Sequence, residues 1–247
     1  MQLETLLSNL DQFLQPHLFK DYAPNGLQVQ GKREVKRIVT AVSATQAVID
    51  RAVQLRADAL LVHHGWFWRG DNPRIIQTKY RRLKALMMAD MSLIAYHLPL
   101  DAHPVVGNNA QLALKLGVQD VKQSGDGNFL WSGKISPISA ENLAAHLTVL
   151  LHRPAQILGD SSKRIEKLAW CSGAAADFLD EAIAIGADAY ISGEAAERTT
   201  HLARESGVPF FVCGHHATER LGIQALGEWI EKQWAIECVF VDDDNPI

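Results

Sequence analysis

The chain moves between two rhythms of apolar spacing. Leu3, Leu6, Leu7, Leu10, Phe13 and Leu14 recur at helical intervals and predict an amphipathic first helix. After the turn Ala23-Pro24-Asn25-Gly26, residues 27–30 alternate like a short strand. Residues 38–42 are an apolar run of the buried-strand kind, and residues 44–56 carry Ala47, Val48, Ala52 and Leu55 on one helical face. Residues 59–62 are a second buried run, so this stretch predicts a β-α-β unit. Residues 74–89 predict a helix with Lys and Arg on its wet side. Residues 91–96 predict a third strand, and residues 108–116 a helix stopped by Gly117.

A polar, glycine-bearing stretch, residues 123–133, is the best boundary in the middle of the chain. Its Gly-Asp-Gly and Ser-Gly-Lys are not spaced as a phosphate-binding loop. Beyond it, residues 140–151 read as a helix, and residues 168–172, 178–185 and 189–192 as strand, helix and strand. Residues 208–213 are a strong buried strand, followed by Gly214-His215-His216, a helix from about Thr218 to Trp234, and a short strand over 238–241.

The two halves echo each other. Ala57-Asp58-Ala59 recurs 130 residues later as Ala187-Asp188-Ala189. At the same offset Ile38 meets Leu168, Ala44 meets Ala174, Asp50 meets Asp180, and His63-His64 falls on Gly193-Glu194. His97 and Asp101 share the spacing of His215 and Glu219, which lie 118 residues later. These matches predict a duplicated α/β chain with lobes over residues 1–125 and 126–247, able to build an active centre between them.

Composition narrows the class. With 247 residues, 47% hydrophobic and 21% charged, the chain matches an ordinary soluble globular protein with ample core. A net charge of -4 gives no global attraction to nucleic acid or an anionic membrane, although Arg69, Arg74, Lys79, Arg81, Arg82 and Lys84 make one segment locally basic. Cys171, Cys213 and Cys238 lack metal-ribbon or disulfide-framework spacing, which fits a reduced, cytoplasmic protein. The first residues lack a basic leader pattern, and no apolar run reaches membrane-spanning length.

The chemistry gathers at strand ends. The run 59–62 stops at His63-His64-Gly65, and carboxyl ends of strands in an open α/β sheet are where ligands sit. Neighbouring strand side chains point to opposite faces, so the two imidazoles reach one centre only if the strand ends there, or else serve two adjacent centres. Trp66, Phe67 and Trp68 are placed to wall such a site. Two further strand ends deliver His97 with Asp101, and His215 and His216 with Glu219. Imidazole and carboxylate are the usual donors for zinc, manganese, iron and nickel at open catalytic sites. Five or six donors exceed what one open zinc site needs and suit two ions roughly 3.5–4 Å apart.

Asn25-Gly26-Leu27, the strand running into His63-His64-Gly65, His97-Leu98-Pro99-Leu100-Asp101 with Gly107-Asn108-Asn109, and His215-His216-Ala217-Thr218-Glu219 together resemble the dinuclear-metal-centre family. Its members are related to a yeast coactivator-interacting factor and carry the label type 2 GTP cyclohydrolase 1. The resemblance covers essentially the whole chain. It implies intertwined α/β/α lobes with mixed sheets, two divalent transition-metal ions per chain (zinc, iron, manganese or nickel), and a toroidal homohexamer. It implies further that His64 and Asp101 hold one ion, that His63 and His215 hold the other, and that Glu219 bridges them. His97 and His216 then lie beside the metals as acid–base candidates in hydrolysis of a small-molecule substrate, by resemblance a purine nucleotide opened at C8. A metal-binding scaffold without turnover is the alternative. The chain departs from the family in having no room for the large middle domain of longer relatives, and in carrying Ala102-His103-Pro104 after Asp101.

Overall fold

The computed structural model describes residues 1–247, with the backbone alone at Asp126. The chain opens with α1 (Leu3–Leu14), β1 (Gly26–Val29), β2 (Arg37–Ser43), α2 (Gln46–Gln54), β3 (Ala59–His64), α3 (Gln77–Met88) and β4 (Ser92–Ala95). It continues through α4 (Leu98–Ala102), α5 (Asn108–Leu116), β5 (Gln119–Ser124), β6 (Leu130–Ser139), α6 (Ala140–Leu151), β7 (Gln156–Leu158) and β8 (Arg164–Trp170). The last elements are α7 (Leu179–Ala184), β9 (Ala189–Ser192), α8 (Glu197–Ser206), β10 (Phe210–Val212), α9 (His215–Trp234) and β11 (Glu237–Phe240). No helix among the described residues is long and apolar enough to cross a membrane.

Two compact units result. The first comprises Met1–Gly107 and Gly222–Asp244, the second Asn108–Leu221 and Asn245–Ile247. The first unit's sheet runs β1-β4-β3-β2-β11, with β1 antiparallel to β4 and the other pairs parallel. Its three central strands, β4, β3 and β2, are buried on both faces, as a parallel sheet between helices requires. Ile38, Val42, Leu61 and Ile94 pack on one side with Leu3, Leu6 and Leu10 of α1 and Ile223, Leu226 and Ile230 of α9. Val39, Ala41, Leu60, Val62 and Leu93 face the other side with Val48, Ile49 and Ala52 of α2 and Leu86 of α3.

The second unit repeats this plan. Its sheet runs β5-β6-β8-β9-β10-β7, so β7, β10, β9 and β8 follow the order of β1, β4, β3 and β2. β7 is antiparallel to β10, as β1 is to β4. The register agrees as well: Ile38 pairs with Ala59, and Leu168 with Ala189. One face carries Leu168, Trp170, Ile191 and Phe211 with α6, and the opposite face carries Ala169, Tyr190 and Phe210 with Leu179, Ala182 and Ala203. Each unit is thus an α/β/α sandwich, and the duplication read from the sequence is real.

The repeated tripeptide does the same work twice. Asp58 Oδ2 accepts hydrogen bonds from the backbone N–H groups of Lys36 and Arg37 at 2.9 and 3.1 Å. Asp188 Oδ2 accepts those of Glu166 and Lys167 at 3.0 and 2.8 Å. Each carboxylate therefore ties down the backbone of the strand beside it, β2 at its start and β8 at its third and fourth residues. Asp58→Ala and Asp188→Ala are each expected to cost about 1.5–3 kcal/mol, the range for hydrogen bonds to a charged acceptor, in chemical denaturation. A neutral effect in one and a large loss in the other would refute the shared role.

Several boundaries differ from the sequence expectation. The helix expected from Ala44 begins at Gln46, because Thr45 is its N-cap and its hydroxyl accepts from Val48 N–H. The strand expected over 168–172 runs Arg164–Trp170, and the helix expected from Phe178 is a 3-10 turn, Ala176–Phe178, leading into α7. The polar stretch 123–133 holds the end of β5 and the start of β6, paired antiparallel. Most consequential, α9 starts at His215 rather than near Thr218. Thr218 is no N-cap: its hydroxyl donates to the Gly214 carbonyl at 2.8 Å and accepts from Gly173 N–H at 3.0 Å.

Candidate metal centre

In the first unit β3 keeps its ladder up to His64, whose last parallel partner is Ser43. The strand ends there, and the rings of His63 and His64 lie 4.5 Å apart, centroid to centroid. The exit needs glycine at 65, since a Cβ there would stand 2.3 Å from Gln28 Oε1, which already accepts the Trp66 N–H at 2.6 Å. β4 delivers the third imidazole, with the His97 ring 5.1 Å from that of His63 and 5.6 Å from that of His64. Nitrogen atoms of His63, His64 and His97 all lie within 4.8 Å of one another, a set that could hold a metal ion. His97 precedes α4, and the Asp101 N–H donates to its carbonyl at 3.2 Å. That turn brings the buried Asp101 carboxylate to 3.6 Å from His63 Nε2.

The rings are oriented from behind. His63 Nδ1 donates to the Tyr96 carbonyl at 3.1 Å, His64 Nδ1 lies 3.1 Å from Ser43 Oγ, and His97 Nδ1 donates to Asp21 Oδ1 at 2.7 Å. A partner on Nδ1 fixes the tautomer and turns Nε2 toward the centre, the usual support for a ligating histidine. Asp21 is buried, which by itself raises a carboxyl pKa. The hydrogen bond and charge of His97, with hydrogen bonds from Asn25 and the Leu98 N–H, outweigh burial and bring it down to about 2. Trp68 closes one side, edge-on to His97 at 4.9 Å. Of the three aromatic residues expected as walls, Trp66 is instead buried in the core with its indole N–H on the Ala44 carbonyl, and Phe67 is exposed.

The second unit presents a matching pair. Because α9 begins at His215, His215 and Glu219 are one turn apart on a helix face, with Nε2 and Oε1 separated by 3.2 Å. Glu194, at the end of β9, takes His215 Nδ1 at 2.5 Å. Burial opposes protonation of His215, but Glu219 and Glu194 outweigh it and lift its pKa to about 9. His216 is buried beside it, and its ring joins no donor group of three among the described residues.

Two glycines make room for this pair. A Cβ on Gly173 would lie 2.3 Å from Glu219 Oε1, and one on Gly193 2.6 Å from the His215 Cα. Gly193 stands at the repeat position of His63; the start of α9 leaves no space for a side chain there. Gly173→Ala adds a clash to a residue at φ +68°, and should lower stability by about 1–3 kcal/mol and displace Glu219. Thermal melting with metal analysis checks this; wild-type values in both would show that the glycine is dispensable.

The expected donors therefore fall as His63, His64, Asp101 and His97 in one unit and His215 and Glu219 in the other. The donor set is imidazole and carboxylate without thiol, which fits zinc, iron, manganese or nickel. Sequence reasoning missed Asp21, Ser43 and Glu194, which hold the rings, and Gly173. Glu194 could have been found, because the repeat aligns it with His64.

The family model described as Duf34/NIF3 (NGG1p interacting factor 3) matches residues 1–246. A GTP cyclohydrolase 1 type 2 homolog of Pseudomonas aeruginosa is 48% identical over 248 residues, covering 99% of this chain and 98% of that protein. One from Vibrio cholerae is 47% identical, covering 100% and 99%. Among solved structures, a protein called ybgI, of unknown function, superposes with a TM-score of 0.95 at 43% identity, covering 100% of both chains. TTHA1606 from Thermus thermophilus gives a TM-score of 0.91 at 31% identity, again covering 100% of both.

Proposed function

This chain belongs to the Duf34/NIF3 family, and on that premise we propose that it is a hydrolase dependent on two divalent transition-metal ions, with a purine nucleotide as substrate. The observation that carries this reading is the cluster of three imidazoles with nitrogens within 4.8 Å of one another, their Nδ1 atoms supported from behind. Following the family resemblance, His64 and Asp101 would hold one ion, His63 and His215 the other, and Glu219 would serve both. Ions so held would supply Lewis acidity, lowering the pKa of a water and polarising the bond to be cleaved. The protein's own groups then have separable tasks. Asp101 and Glu219 supply negative charge from buried positions, and Trp68 shields one side. His97, and on the resemblance His216, move protons. The relatives' name supports a guanine nucleotide opened at C8.

The test is loss of guanine absorbance from GTP by protein loaded separately with zinc, iron, manganese or nickel, its abolition by chelator and its return with one ion. Absence of turnover under all four loads would sink the nucleotide assignment. Phosphodiester or dipeptide cleavage in the same screen would keep hydrolysis and replace the substrate.

A second reading, a scaffold that acts by self-association, is favoured by α3 and the two residues before it. Ile75, Ile76, Tyr80, Met87 and Met88 are all about half exposed or more, and apolar patches of this kind mark interaction surfaces. The occupant proposed is another copy of this chain, within the homo-oligomer, a ring-shaped hexamer, that the resemblance implies. Met87→Ser with Met88→Ser should then lower the sedimentation coefficient; an unchanged value excludes this face.

A further inference from the structure

Asp21 lies in the loop before β1, far in sequence from the histidines, yet its side chain is only 4% exposed. Both oxygens are saturated. Oδ1 accepts from the Tyr22 N–H at 2.6 Å and from His97 Nδ1 at 2.7 Å, and Oδ2 accepts from Asn25 Nδ2 and the Leu98 N–H, each at 2.9 Å. Asn25 Oδ1 in turn takes the backbone N–H of His97 at 2.8 Å. The loop thus grips His97 by its ring and its main chain together. A carboxylate can only accept, so the ring proton is on Nδ1 and the Nε2 lone pair is left on the side of His63 and His64.

We propose that Asp21 is a positioning residue for catalysis, holding His97 in the tautomer whose Nε2 accepts one proton as the water oxygen bonds to C8 of the purine and returns it to N9 as the C8–N9 bond breaks, the other water proton ending on N7. The second unit shows the same device, Glu194 on His215 Nδ1, at a histidine in the equivalent place after its strand. A purely structural latch would need the loop tied down, but not a charged acceptor on the imidazole. Asp21→Asn separates the two roles. Its amide can donate to Nδ1, and the ring then carries its proton on Nε2, where it no longer accepts. A carboxylate-to-amide change behind a catalytic histidine lowers turnover through the wrong tautomer while leaving the geometry in place.

The kinetic half of this inference rests on the proposed hydrolysis; the tautomer does not. Long-range proton–nitrogen NMR of zinc-loaded protein should show His97 protonated on Nδ1 in the wild type and on Nε2 in Asp21→Asn. Asn25→Ala, which loosens the same loop, should keep the wild-type tautomer. With GTP, Asp21→Asn should lower kcat by about 10²–10⁴ with KM and metal content unchanged. A wild-type ring protonated on Nε2, an unshifted tautomer in Asp21→Asn, a shifted tautomer with kcat intact, or loss of metal from that variant each overturns the proposal. If wild-type protein turns over no GTP, the hydrolytic reading fails by itself, and the NMR comparison still decides whether Asp21 sets the tautomer.

Discussion

Glu219→Gln is expected to leave the purified protein with little metal, and the wild type is expected to hold about two ions per chain. The glutamate is buried at 3% exposure, one helical turn from His215. A carboxylate assigned to both ions offers each an anionic oxygen; the amide offers one neutral oxygen and a nitrogen that cannot coordinate. Asp101→Asn, assigned to one ion, should lose mainly that one. His64→Ala should lose metal together with activity, part of which returns when excess metal is added, because only affinity has been lowered. Metal analysis of the three variants beside wild type is the measurement. Full content in both carboxyl variants would end the bridging assignment, and equal partial loss in both would make the two carboxylates equivalent.

His97→Ala should behave in the opposite way. It is expected to keep about two ions per chain while turnover falls by about 10²–10⁴, the usual cost of removing a proton-transfer group. Added metal should not restore it. The geometry makes this a demanding test, because His97 is close enough to His63 and His64 to be a ligand. His215, with its own carboxylate on Nδ1, is supported in the same way and is assigned to a metal. A metal-depleted His97→Ala protein rescued by added ion would therefore move His97 from proton transfer to the metal.

Much of the plan is carried by local chemistry. A near-continuous run of Val, Ile, Leu and Ala between helical repeats means a strand covered on both faces, and residues 38–42 and 59–62 are such strands. An apolar run that stops at His63-His64-Gly65 marks a strand end with a ligand-binding character, and the 130-residue offset marks duplication. Side chains able to hold a metal were visible for a related reason: His63 and His64 close a buried strand, and Asp101 and Glu219 follow within a few residues of one.

Other parts were not legible. β5 is almost wholly exposed, so no burial imposes an apolar alternation on Gln119–Ser124, and the sequence predicts no strand there. The last helix is expected from about Thr218, after Gly214-His215-His216. Here the Thr218 hydroxyl is taken by Gly173, 45 residues away, and α9 starts a turn earlier. The grip of Asp21 on His97 spans 76 residues and leaves no periodicity. The sequence by itself determined which segments must be buried and which side chains can bind a metal, because burial and donor chemistry are properties of the residues. The tertiary structure decided which carboxylate stands behind which imidazole, where the last helix begins and where only glycine fits, because these depend on distances between segments remote along the chain.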